Sequence, residues 1–155
     1  MNKRALVEKI VAALEADVAV LVASAMSARE GSTHEEAKAE DDKDTRAIEA
    51  GYLAGAQAKR AHELEAAAER LKAMELRAFG PKDPIALSAL VEVERAGKPA
   101  HYFLATAGGG LKVRLDGLEV QVLTPEAPLG ELMVGKTRGD VLEMNGREIE
   151  IVAVR

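Results

Sequence analysis

The chain has 155 residues, enough for one ordinary domain or two small ones, and 48% hydrophobic against 30% charged residues excludes a disordered tail. A formal net charge of -5 argues against tight, sequence-independent binding to nucleic acid, which draws on clustered Lys and Arg to displace counterions. The absence of cysteine removes disulfides, thiol nucleophiles and cysteine zinc sites, and an aromatic content of 3% disfavours an aromatic-lined small-molecule pocket.

Met1 to Arg4 is charged, but Glu8, Lys9, Glu15 and Asp17 interrupt the apolar residues that follow, so neither a signal peptide nor a membrane span is drawn. A soluble, cytoplasmic protein is expected. Leu6, Ile10, Ala13, Leu14, Val18, Leu21 and Ala25 recur in steps of three and four and line one face of a helix. Gly31, followed by Ser32 and Thr33, supplies a stop, which places this helix at about residues 2 to 30, roughly 40 Å long. A second amphipathic pattern runs from about Thr45 to Arg77, with Ile48, Tyr52, Leu53, Leu64, Ala67, Leu71 and Met74 on one side. Two long stripes joined by a short turn bury each other most economically as an antiparallel hairpin.

Between the helices, residues 35 to 44 hold six acids and two lysines. Ser32 and Glu35 have capping-box spacing, and acids at a helix N-terminus are favoured by its dipole. That accounts for two or three carboxylates and leaves the surplus, at the far end of a rod, without a role in folding.

Phe79 to Pro84 carries two prolines and ends the helical pattern, marking a linker at residues 79–84 between a hairpin of residues 1–78, tip near 33–45, and a domain of residues 85–155. Beyond it the period changes to two. Strands are predicted at Ala89 to Glu94, His101 to Thr106, Lys112 to Leu115, Leu118 to Leu123, Val141 to Met144 and Glu148 to Val154, with Asn145-Gly146 as a tight hairpin turn. The predicted fold class is α+β: a long helical hairpin, then a small antiparallel sheet with one short helix near Leu129 to Val134.

Gly130 to Thr137 matches the phosphate-binding pattern G-x-x-x-x-G-K-[ST] letter for letter. Phosphate binding needs a strand leading into the loop, free backbone N–H groups and a helix starting at the lysine. Thr124, Pro125 and Pro128 precede the loop, its Leu-Met-Val interior is apolar, and Arg138-Gly139-Asp140 leads into strand-like sequence, so the nucleotide-binding reading is set aside.

The same stretch, Thr124-Pro125-x-x-Pro128-Leu129-Gly130, then Gly135-Lys136 and Gly139-Asp140, with Glu148 to Arg155 as a closing strand, resembles the C-terminal signature of the Gre transcript-cleavage factors. Ala127 stands where that signature has serine. Length, domain order and the helical hairpin agree with the resemblance. It implies an FKBP-like C-terminal domain that docks on bacterial RNA polymerase beside its secondary channel, with Pro128, Leu129 and Gly130 at the docking surface. It implies also a hairpin whose tip carboxylates help hold the second Mg²⁺, so that the polymerase's own site cleaves backtracked RNA. Mg²⁺ takes one or two hard carboxylates with waters and phosphate, so the ion would be shared with the polymerase and bound poorly by the free tip.

The family's tip pattern, Gly-Asp-Leu then Glu-Asn with an acid pair three apart, has no direct copy here. Either Glu40-Asp41 stands for Glu-Asn, or Asp41 and Asp44 supply the spaced pair. The resemblance thus carries the catalytic role to Glu40, Asp41 and Asp44, metal binding to Asp41 and Asp44, and places Glu36 and Asp42 in reserve. Lys43 and Arg46, with Lys38, Lys59 and Arg60 nearby, are candidates for phosphate contacts to the nascent RNA 3′ end, against a plain reading as solvated helix faces. The free protein is expected to be a monomer and no enzyme on its own. A tip with surplus acids could instead occupy the channel and inhibit.

Other readings are weaker. A prolyl isomerase needs an aromatic-walled pocket, and Tyr102 and Phe103, adjacent in a strand, point to opposite faces. A plain coiled-coil adaptor would leave the C-terminal signature unexplained. His34, His62 and His101 lack metal-ligand spacing, and no Ser or Thr sits in a nucleophile-elbow context.

Overall fold

The computed structural model describes residues 1–32 and 55–155. The chain divides into two compact units, Met1–Val11 with Ala67–Arg155, and Ala12–Ala66. Helix α1 is Lys3–Ser32 and α2 is Ala56–Lys72. Strands β1 (Leu90–Arg95), β2 (Lys98–Leu104), β3 (Lys112–Leu115) and β4 (Leu118–Leu123) follow, then the short helix α3 (Pro128–Met133) and strands β5 (Val141–Met144) and β6 (Arg147–Val154).

Asn2 starts α1: its side-chain Oδ1 accepts from Arg4 N at 2.9 Å and Ala5 N at 3.3 Å, occupying two amides that the first turn leaves without a helical partner. Leu6, Val7, Ile10 and Val11 are buried, as are Ala67, Ala68, Leu71 and Met74 of the same unit. In the other unit Leu14, Ala25, Ala61 and Leu64 are buried, while Arg60 pairs with Glu63 at 3.7 Å on an exposed face. The stretch Lys3–Ala28 is long and apolar enough to cross a membrane by length and composition alone. Leu6, Val7, Val11 and Leu14 of this stretch are buried and Val20 is exposed, while Glu8, Lys9, Glu15 and Asp17 place charges along it.

The sheet runs β3-β4-β2-β1-β6-β5. It was expected to be wholly antiparallel, and it is mixed: β2 pairs β4 in parallel, His101 opposite Val120 through Leu104 opposite Leu123. The connection after β2 carries the chain past one strand position, so the β3–β4 hairpin joins the sheet through its second strand. The three hairpins turn at Ala96-Gly97, Asp116-Gly117 and Asn145-Gly146, each with positive φ at both residues, the backbone that matches the right-handed strand twist.

One face of the sheet builds a core from Val91, Val93, Tyr102, Leu104, Leu142, Ile149 and Ile151, closed by Ile85, Met133 and the partly buried Phe79 and Leu129. Phe103 is fully buried on the opposite face, with Leu90, Val120 and Val122. Tyr102 and Phe103 therefore do point to opposite faces, and both are spent on packing. Gly108, in the loop after β2, is where the helices meet this domain: a Cβ there would lie 3.2 Å from Ile10 Cγ2 and 3.6 Å from Leu71 Cδ1.

The second helix was expected to reach Arg77 but ends at Lys72. Met74 N already bonds Leu71 O, a tightened last turn. Beyond it both backbone groups of Arg77 are taken by distant residues: its N–H donates to the buried Ser88 hydroxyl at 2.9 Å, and its carbonyl accepts from Lys3 Nζ at 2.6 Å. Lys3 and Arg77 both sit over the Phe79 ring, at 4.6 and 5.3 Å from its centre. Burial, and secondarily the Arg77 guanidinium, lowers the Lys3 ammonium from 10.5 to about 8. The folded state then holds fewer protons than the unfolded chain between those values. The Lys3 contribution to stability is complete above about pH 10.5 and is lost as pH falls through about 8. Chemical denaturation across pH 7 to 10.5 should show wild type gaining on Lys3→Met as pH rises. A constant difference between the two would show that Lys3 is not perturbed.

Strand pairing sets Glu94 opposite Glu150 and Glu143 opposite Glu148. Like charges directly across a sheet are destabilising, so Glu150→Lys should stabilise by about 0.5 kcal/mol in urea unfolding, with the gain shrinking at high salt.

Candidate functional site

The segment from Thr124 to Asp140, which the sequence singles out, folds as a tight turn, the short helix α3 and a second turn leading into β5. Ala127 N donates to Thr124 O at 3.1 Å, and Pro128 enters the first turn of α3, where a missing N–H costs nothing. Gly130 is buried directly beneath the Thr124 carbonyl: any Cβ would overlap that oxygen and lie 3.0 Å from its carbon and 3.2 Å from Pro125 Cα. Glycine here is a requirement of close approach.

The second half of the segment is equally committed. Gly135 N donates to Ile85 O and Ile85 N to Lys136 O, both at 2.8 Å, a two-bond tie to the start of the domain. Asp140 Oδ2 accepts from Thr137 N at 2.8 Å and from the Thr137 hydroxyl at 3.3 Å, while Gly139 N and Asp140 O bond the backbone of Ile151 in β6. These bonds also dispose of the phosphate-loop letters. The amides of Val134, Gly135, Lys136 and Thr137, which a phosphate would need, donate to Gly130 O, Ile85 O, Met133 O and Asp140 Oδ2. The helix precedes the glycine-lysine pair and none starts at it.

The three residues placed at a docking surface have different exposures. Pro128 is exposed, Leu129 is half-buried against the core cluster, and Gly130 is buried. Beside them lies exposed apolar surface that sequence reading missed: Leu132 is 37% exposed, Val134 43% and Leu87 40%. Val134, Leu87, Pro125, Ala86 and Met74 line an open concavity of about 480 Å³, with Thr106, Glu75 and Arg77 supplying its polar atoms. The lining comes from separate stretches of chain, so no local pattern announces it. An apolar hollow with one acid and one base at its margin can seat a large apolar side chain while pairing a charge on either flank.

The residues given catalytic, metal and RNA-contact roles, Glu40, Asp41, Asp44, Lys43 and Arg46, with Glu36 and Asp42 in reserve, lie outside the described residues. Among the described residues no group of three or more His, Asp or Glu side chains is arranged to hold a metal ion.

No family model and no curated protein sequence matches this chain. Solved structures do. GreA factor homolog 1 (Gfh1) of Thermus thermophilus is 18% identical with a TM-score of 0.39, the match covering 99% of this chain and 92% of that one. Gfh1 of Thermus aquaticus is 20% identical with a TM-score of 0.38, covering 95% and 92%. A further structure, of the transcription factor Gfh1, is 19% identical with a TM-score of 0.38, covering 96% and 92%.

Proposed function

We propose that this chain is a cytoplasmic Gre-type factor of bacterial RNA polymerase: its sheet domain docks beside the secondary channel, and acids of residues 35 to 44 enter the channel and stimulate cleavage of backtracked RNA. The observation that carries this reading is the Pro125 to Asp140 segment. Its Pro-Leu-Gly, Gly-Lys and Gly-Asp elements, the ones that resemble the Gre signature, fold into one rigid unit whose flank presents exposed apolar side chains beside an apolar hollow. A rigid, partly apolar patch with a charged margin has the anatomy of a protein-docking surface. The chain itself carries out no reaction. Glu40, Asp41 and Asp44 would supply carboxylate oxygens to a Mg²⁺ that the polymerase also holds, and Lys43 and Arg46 would meet phosphates of the RNA 3′ end.

Capture of purified polymerase by the full chain tests the docking half of the proposal. Val134→Glu places a charge in the hollow and should weaken capture by about tenfold, corresponding to about 1.4 kcal/mol, with thermal stability unchanged because Val134 is exposed. Equal capture by wild type and variant would remove the hollow from the interface.

A second reading, an inhibitor that fills the channel without cleavage, is favoured by the surplus of acids, six against two lysines in ten residues. Loss of nucleotide addition with RNA length unchanged would select it.

A further inference from the structure

We propose that Asn145-Gly146 is a self-modifying site, at which the turn cyclises to a succinimide and reopens as aspartate and isoaspartate. This inference is independent of the polymerase reading. It rests on the shape of the turn between β5 and β6, where Met144 pairs with Arg147 and the two residues between them are exposed. Asn145 has φ 53° and Gly146 φ 70°. The Gly146 N–H lies outside both strands and, among the described residues, donates no hydrogen bond. It is the nucleophile such a reaction needs, and glycine brings no side chain to hinder it.

Ring closure brings the Gly146 nitrogen into line with Cβ of Asn145, which for an L residue means ψ of about −120°, and that ψ with φ of about +60° is the first central residue of a type II′ turn. Asn145 already has the φ of that turn. Flipping the peptide plane between residues 145 and 146 therefore reaches the ring while the chain stays within a two-residue hairpin loop and the strands keep their register. Gly146 moves to φ of about −80°, a change that glycine makes without steric cost. In the reaction the Gly146 nitrogen loses its proton to water and attacks Cγ of Asn145. The new N–C bond forms, the bond from Cγ to the side-chain nitrogen breaks, and that nitrogen leaves as ammonia with a proton taken from water. Water then opens the ring at either carbonyl, so that a side-chain amide and water become a carboxylate and an ammonium ion. Either product sets a negative charge beside Glu143 and Glu148, which already face each other across the strands. Isoaspartate also adds a main-chain carbon to the turn that holds the edge strand β5 on the sheet.

Asn2, the only other asparagine, is an internal control: its side-chain oxygen is tied to Arg4 N and Ala5 N, and a lysine follows it. The test is peptide mapping by mass spectrometry of the folded full chain, aged at physiological temperature and pH in ¹⁸O-labelled water, with fragmentation that separates isoaspartate from aspartate. Asn145 should give both products, each with ¹⁸O in its new carboxylate, about tenfold faster than Asn2. Because the folded turn already holds the φ of the cyclised one, conversion should be at least as fast in the folded chain as in the chain unfolded by guanidinium. Conversion of Asn145 no faster than that of Asn2, or slower in the folded chain than in the unfolded one, would overturn the proposal.

Discussion

Gly130→Ala should destabilise the protein by about 3 kcal/mol and lower its melting temperature by about 10 °C. Helix propensity alone predicts the opposite sign, since alanine in place of a helical glycine gains about 1 kcal/mol. The close approach of the Thr124 carbonyl decides the sign, because the added methyl would meet backbone atoms that cannot turn aside as a side chain does. Relief would require shifting the Thr124-Pro125 turn away from α3, and that turn shapes the hollow beside Val134. The same substitution should therefore weaken polymerase capture. Leu132→Ala, on the same helix but 37% exposed, provides the contrast, with an expected cost below about 1 kcal/mol. A Gly130→Ala variant as stable as wild type would show that the turn yields easily and that glycine is not needed there.

Asp41→Ala combined with Asp44→Ala should slow cleavage of backtracked RNA by at least about 100-fold while polymerase capture persists. The reasoning is electrostatic. A second Mg²⁺ stabilises charge on attacking and leaving oxygens, and an ion that keeps most of its waters is held by few carboxylates, so losing two leaves it without protein ligands on this side. Docking is assigned to residues of the 124–140 segment and the hollow beside it, so affinity should change little. A double variant that cleaves normally would refute the assignment of these acids and return the choice to Glu36, Glu40 and Asp42.

Much of the sheet domain was legible because its signals are local. Strands β3, β4 and β5 have the limits that alternation and glycine punctuation predict, and Asn145-Gly146 turns a hairpin as its residue types require. The parallel pairing of β2 with β4 was not legible, since neighbouring strands are chosen by packing of the whole sheet, to which period two is blind. The end of α2 was overrun for a similar reason: Met74 and Leu76 continue the apolar rhythm, but partners 11 and 74 residues away in sequence capture the backbone of Arg77. Lys3 reads as one more charge near the N-terminus, and its contacts with Phe79 and the Arg77 carbonyl come from residues too distant in sequence for a local pattern to announce. At the site, the glycines and prolines of the 124–140 segment announced themselves, whereas the hollow assembled from Met74, Leu87, Pro125 and Val134 did not.

The measurement that bears most directly on the account uses a stalled, backtracked elongation complex with 3′-labelled RNA and Mg²⁺, to which the purified chain is added. Release of short 3′ fragments that depends on the chain, followed by resumed elongation, is the predicted result. RNA that keeps its full length, with nucleotide addition neither restored nor blocked, would contradict both the cleavage reading and the channel-filling one.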